Sequence, residues 1–196
     1  MFTLPLQEAL LFSIKTIFNL YISIVLFRLI LQLVRANFYD PLAQLVVRLT
    51  NPLLIPLRKI IPGFSGIDCA ALVLALILQS VESMLLLFVK GFSIAPTLIS
   101  VSGLLIWSSG EIVDTILLIF LFATFIQVIF SWLQPGQFNP NIVLFSQISE
   151  PLLRRARRFS PNLGVIDLSP MIIIFFIMLF RLVFAEYIIA LGKNLI

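Results

Sequence analysis

Long apolar runs alternate with shorter polar stretches along the chain, and the lengths of the runs predict its elements. Four of them, at about 9–35, 67–89, 112–133 and 166–191, reach the roughly 20 residues that a helix needs to cross a bilayer. A fifth, 92–107, is shorter and carries Pro96, Gly103 and several serines. Polar stretches at 36–66 and 134–165 separate the first span from the second and the third from the fourth. Each combines prolines, cations and leucines.

The second half repeats the first at a fixed offset of 99 residues. Pro140 falls on Pro41 and Asn139 on Asp40. Pro151-Leu152-Leu153 falls on Pro52-Leu53-Leu54, Arg157-Arg158 on Arg58-Lys59, Pro161 on Pro62, and Ile166-Asp167 on Ile67-Asp68. So many proline and acid matches at one offset identify a duplication. Unit 1 covers 1–89, a linker or interfacial segment 90–108, and unit 2 109–196. Each unit reads as a span, a Pro-rich basic loop and a second span.

Charge placement orients these units. Of the 13 Lys and Arg residues, loop one holds Arg35, Arg48, Arg58 and Lys59, and loop two holds Arg154, Arg155, Arg157 and Arg158. Cation-rich short loops stay in the cytoplasm, so an even number of crossings must separate the two. The spans at 67–89 and 112–133 supply them, and 92–107 is expected not to cross. The predicted fold is an all-α membrane protein: four transmembrane helices in two parallel two-helix repeats, N-out and C-out, each with a cytoplasmic amphipathic loop. A crossing at 92–107 would instead give inverted repeats, common among transporters.

Composition agrees with that class. Hydrophobic residues make up 61%, charged residues 11%, and mean hydropathy is +1.15; soluble domains carry about 25% charged residues. The N-terminal apolar run is longer than a signal-peptide core and ends on Arg35 without a small-residue cleavage site, so it reads as a retained helix. A single cysteine excludes an internal disulfide, and the lack of histidine removes the commonest general base and metal ligand.

Within the loops, Asn51-Pro52 and Glu150-Pro151 have the residue types that start helices, a cap followed by proline at the first position. Short interfacial helices are expected from there to Pro62 and Pro161, with Pro56 shortening or kinking the first. In the second, Leu152, Leu153, Ala156 and Phe159 share one side, and Arg154, Arg155, Arg157 and Arg158 take the other. The basic interface (with Arg48, Arg58 and Lys59) is expected to meet anionic lipid headgroups, at about 1 kcal/mol per cation, and to offer a docking surface for a membrane-protein partner. Nucleic acid is not an expected partner, because the cations alternate with lipid-facing leucines. Asp68 and Asp167 each open a long apolar helix and are expected to cap it.

Ionisable residues inside a span are costly and read as functional candidates. At the repeat offset, Glu82 is equivalent to Arg181, and Lys15 to Asp114, each with opposite charge; Arg28 is equivalent to Gln127. These matches point to Glu82–Arg181 and Lys15–Asp114 as ion pairs between the repeats. The competing reading is a polar pathway for an ion. Glu186 and Lys193 are expected to snorkel to the outer interface, and Ala71 and Ala75 offer a small patch for helix contact. No Walker A loop, G-x-S-x-G, H-E-x-x-H or cysteine cluster occurs. No catalytic residue, cofactor or metal is therefore expected, nor an enzyme.

The motifs "NPLLIPLRKIIP…GID" and "EPLLRRARRFSP…GVIDLSP" resemble the YggT/YlmG family of bacterial and plastid membrane proteins. The resemblance covers both units and leaves out about 90–108. Unit 1 departs from the pattern, with Cys69-Ala70-Ala71 where unit 2 has Leu168-Ser169-Pro170. The duplicated form is similar to proteobacterial inner-membrane members. The resemblance implies no catalytic residue. It implies links to osmotic tolerance with a proposed role in ion uptake, to division, and to assembly of a plastid cytochrome. Such variety suits a scaffold or an assembly and quality-control partner of membrane proteins. The competing functions are a small cation (K+) transporter or channel component and a homo-oligomeric lipid-organising protein.

Overall fold

A computed structural model describes residues 3–63, 66–91, 100–133, 143–158 and 169–196. Its elements are α1 (Thr3–Leu33), α2 (Pro41–Ile60), α3 (Cys69–Val89), α4 (Val101–Leu133), α5 (Val143–Ala156), α6 (Ser169–Phe180), a π-helical turn at Arg181–Ala185, and α7 (Glu186–Asn194). Four helices are long and apolar enough to span a membrane: Pro5–Leu33, Cys69–Val89, Val101–Phe130, and Ser169–Asn194, which runs from α6 through the π turn into α7. The chain is a multi-pass membrane protein.

Each unit is an antiparallel hairpin. In unit 1, Gln7 Nε2 near the start of α1 donates to Val89 O at the end of α3, at 2.7 Å, and Gln32 Nε2 at the other end donates to Gly66 O before α3, at 3.3 Å. In unit 2, α4 packs along α6 and α7. The two loop helices lie at one end of the bundle: Gln147 on α5 accepts from Asn37 N at 3.3 Å, and Phe145 packs on Phe27 with ring centroids 6.4 Å apart. The repeats therefore run parallel.

Ala71 and Ala75 are fully buried among Ile22, Val25 and Leu26, where their small side chains let α1 and α3 approach. A second cluster joins the units: Ile30, Leu31 and Ala43 pack with Ala123, Leu144 and Ile148. Ser80 Oγ on α3 meets Ser108 Oγ on α4 at 3.1 Å.

The structure departs from expectation in two places. First, 101–107 forms the opening turns of α4 rather than part of a linker. Glycine inside a helix costs about 1 kcal/mol relative to alanine, but Gly103 and Gly110 are covered by the C-terminal segment, which leaves little room for a larger side chain and least at Gly110. The stretch 92–99, with Pro96, lies outside the described residues. Second, neither Asn51 nor Glu150 is a cap. The first loop helix starts eleven residues earlier, where Asp40 Oδ1 accepts from Leu42 N at 2.8 Å and Pro41 takes the first position. It runs through Pro52 and Pro56, both on its exposed side. Glu150 likewise lies inside α5. Phe159, Pro161 and Asp167 lie outside the described residues.

Candidate functional site

The polar interior starts where each loop helix is tied to the first span of its unit. Arg28 Nη1 donates to Thr50 Oγ1 at 2.6 Å and to Asn51 Oδ1 at 2.9 Å. One repeat later, Gln127 bonds Ser149 Oγ. Thr50 and Ser149 are both fully buried. Each hydroxyl also bonds the carbonyl one turn back, Val46 O at 2.7 Å and Phe145 O at 2.9 Å. Asn51, read from sequence as a cap, is thus a partner for a buried cation. Glu150, its equivalent, pairs with Arg157 at 3.0 Å.

Asp68 precedes α3, is 3% exposed, accepts from Ala71 N at 3.3 Å and pairs with Arg58. Asp68→Ala is expected to lower thermal stability in detergent by about 1–2 kcal/mol, a lost cap plus a half-exposed ion pair. Asp68→Asn, which keeps a capping oxygen, should cost less. Equal unfolding temperatures for wild type and Asp68→Ala would show that the carboxylate does not hold the helix start.

The intramembrane charges pair differently from the sequence expectation. Arg181 Nε and Nη2 meet Asp114 Oδ1 and Oδ2 at 2.7 and 2.8 Å, a two-pronged bond between α4 and the π turn. Glu82 is not its partner, and Lys15 is not bonded to Asp114. Glu82, 1% exposed, accepts from Gln79 Nε2 at 2.9 Å and from Asn19 Nδ2 at 3.3 Å. The reason is the hairpin. Asp114 and Arg181 are 67 residues apart, and so are Lys15 and Glu82; in each unit the antiparallel return brings these positions to one level. The repeats carry the same device with reversed charge. In unit 2 it closes as an ion pair, and in unit 1 both residues line a common cavity.

Two cavities meet at Lys15 and Glu111. One, about 620 Å³, runs between α1 and α4 past Asn19, Ser23 and Asp114 to Leu45 and Val46 on α2. The other, about 580 Å³, opens at the opposite end past Glu82 to Lys90 and Lys193. Glu111, which sequence reasoning passed over, accepts from Trp107 Nε1 at 3.0 Å, and Lys193 Nζ lies 5.1 Å over the Trp107 ring. Lys193 therefore lines a site rather than merely reaching the interface.

The basic side chains are placed apart from these cavities. Arg48, Arg58, Lys59, Arg154, Arg155, Arg157 and Arg158 are exposed on or just past α2 and α5, while Leu54, Leu153 and Ala156 of the same helices are buried.

The duplication is also what comparison with known proteins finds. The CCB3/YggT family model matches residues 7–89 and again 106–188. The chain belongs to the CCB3/YggT family. The two matches begin 99 residues apart, the offset of the internal repeat. An uncharacterised Pseudomonas aeruginosa protein is 48% identical over 165 residues, covering 84% of this chain and 82% of its own. The uncharacterised YggT of Escherichia coli K12 is 35% identical over 190 residues, covering 97% and 96%. A Haemophilus influenzae relative, also uncharacterised, is 34% identical over 175 residues, covering 89% and 90%. No solved structure matches.

Proposed function

We propose that this CCB3/YggT protein is a non-enzymatic scaffold of the bacterial inner membrane, an assembly or quality-control partner of other membrane proteins. In this reading both basic loops face the cytoplasm and both termini face out. Support comes from one observation: α2 and α5 sit at the same end of the bundle and expose their cations together. Helical spans suit the inner membrane, since outer-membrane spans are β-barrels, and the cations suit its anionic cytoplasmic leaflet. A link to osmotic adaptation and a homo-oligomeric form belong to the same proposal.

The test is affinity capture from mildly solubilised membranes, comparing wild type with Arg154→Glu, Arg155→Glu, Arg158→Glu combined. A specific membrane complex is expected with wild type and not with the variant, at equal membrane levels. Capture that survives the charge reversal contradicts a basic docking surface.

A second reading, a small cation transporter or channel component, is favoured by the two cavities that meet at Lys15 and Glu111. It predicts cation flux in proteoliposomes that neutralising Glu82 or Glu111, which line those cavities, abolishes. Absence of flux from folded wild-type protein would exclude it.

A further inference from the structure

The cavity at the end away from the loops holds polar groups that the fold leaves unmet. Gln79 is 3% and Ser83 1% exposed, and Gln79 Oε1 and Ser83 Oγ have no hydrogen-bond partner among the described residues. Both line the 580 Å³ cavity beside Glu82. A buried unpaired acceptor is costly, so a group that supplies N–H donors there is stabilised. The mouth of the same cavity is basic: Lys90 follows the last turn of α3, and Lys193 lies in the last turn of α7. The lining carries three lysines (Lys15, Lys90, Lys193) against two carboxylates (Glu82, Glu111). A simple cation would have to pass the two lysines at the mouth. A simple anion would take the Ser83 hydroxyl proton but leave Gln79 Oε1 unpaired. A ligand with an ammonium at one end and an anionic group next to it satisfies both. The remaining wall is apolar, formed by Leu11 and Phe12 of α1 and Leu86 and Leu87 of α3, which suits acyl chains better than water.

We infer that this cavity is a binding site for the headgroup of an aminophospholipid. The primary ammonium is received by Gln79 Oε1, Ser83 Oγ and the Glu82 carboxylate. The phosphate lies toward Lys90 and Lys193, and the acyl chains leave along the apolar wall. A quaternary ammonium has no N–H to donate and loses the deep contacts. A headgroup with no nitrogen keeps only the contact with the lysines.

Native mass spectrometry of the full chain in detergent, with phosphatidylethanolamine, phosphatidylcholine and phosphatidylglycerol offered separately, tests the site. Phosphatidylethanolamine is expected to be retained about tenfold better than either of the others, which is the worth of one or two hydrogen bonds to a charged group. Ser83→Ala, a mild substitution, should weaken that preference while leaving the protein folded by its thermal transition, and Gln79→Met, which also takes a donor from Glu82, should remove it at the cost of a lower transition. Equal retention of the three lipids, a preference for phosphatidylglycerol, or an unchanged preference in both variants would overturn the proposal. Displacement of bound lipid by millimolar O-phosphoethanolamine would move the site from a lipid to a free zwitterion and overturn its lipid source.

Discussion

Reversing both members of the Asp114–Arg181 pair restores the protein that either reversal alone loses. Asp114→Arg sets two guanidinium groups against each other inside a span, and Arg181→Asp does the same with two carboxylates. The pair is part-buried, at 29% and 18% exposed, and an unpaired charge inside a span costs about 2.5–3.5 kcal/mol, a large part of the stability of a domain. Both single variants are therefore expected to fall sharply in membrane accumulation and thermal stability in detergent. Asp114→Arg with Arg181→Asp should recover most of the loss, because the antiparallel hairpin keeps the two positions at one level. Glu82→Arg with Arg181→Glu should not recover it, because Glu82 bonds Gln79 and Asn19 instead. Single reversals as stable as wild type would show that the pair does not hold α4 to the fourth span.

Gly192→Ala is expected to be nearly as damaging, although it adds one methyl group. A Cβ at Gly192 would lie 2.3 Å from Trp107 N and 2.6 Å from its Cα. These are backbone atoms of a long helix, so they cannot swing aside. Overpacking a well-fitted contact costs about 1–3 kcal/mol and more where the backbone must move; here α4 and α7 would have to separate. A Cβ at Gly110 would lie 2.9 Å from Ile189 N across the same contact, so Gly110→Ala should act in the same direction. Gly103→Ala, whose neighbours at 3.0 Å belong to the last two residues of the chain, should be milder. Thermal unfolding of the purified variants gives the order. A Gly192→Ala protein that melts with wild type would mean that α4 and α7 do not touch there.

Much of this architecture was legible in the sequence, because hydrophobic length and a fixed repeat offset are long-range signals that no local detail overrides. The spans, the duplication and the parallel arrangement follow from them, and the family match repeats at the same offset. What the sequence hid was competition between equally good local signals. Asp40-Pro41 and Asn51-Pro52 both read as helix starts. The first one wins: Asp40 caps the helix, and the Asn51 side chain is taken by Arg28 instead. The ion pairs were misread for a different reason. Matching positions in parallel repeats are related by symmetry, whereas positions that touch are related by the hairpin. The equal separations of Lys15 from Glu82 and of Asp114 from Arg181 were the available signal. The π turn at Arg181–Ala185 left no mark in the apolar pattern. The glycine contact was hidden too, because Gly110 and Gly192 lie far apart in the sequence and only the fold brings α4 against α7.

The parallel arrangement of the two basic loops is the claim on which the scaffold reading depends. Single cysteines at Lys59 and at Arg155, introduced in a Cys69→Ser background, can be labelled with a membrane-impermeant maleimide in intact cells and in inverted vesicles. Both positions are expected to label from the cytoplasmic face alone. Labelling of the two from opposite faces would contradict the parallel repeats and the shared basic surface.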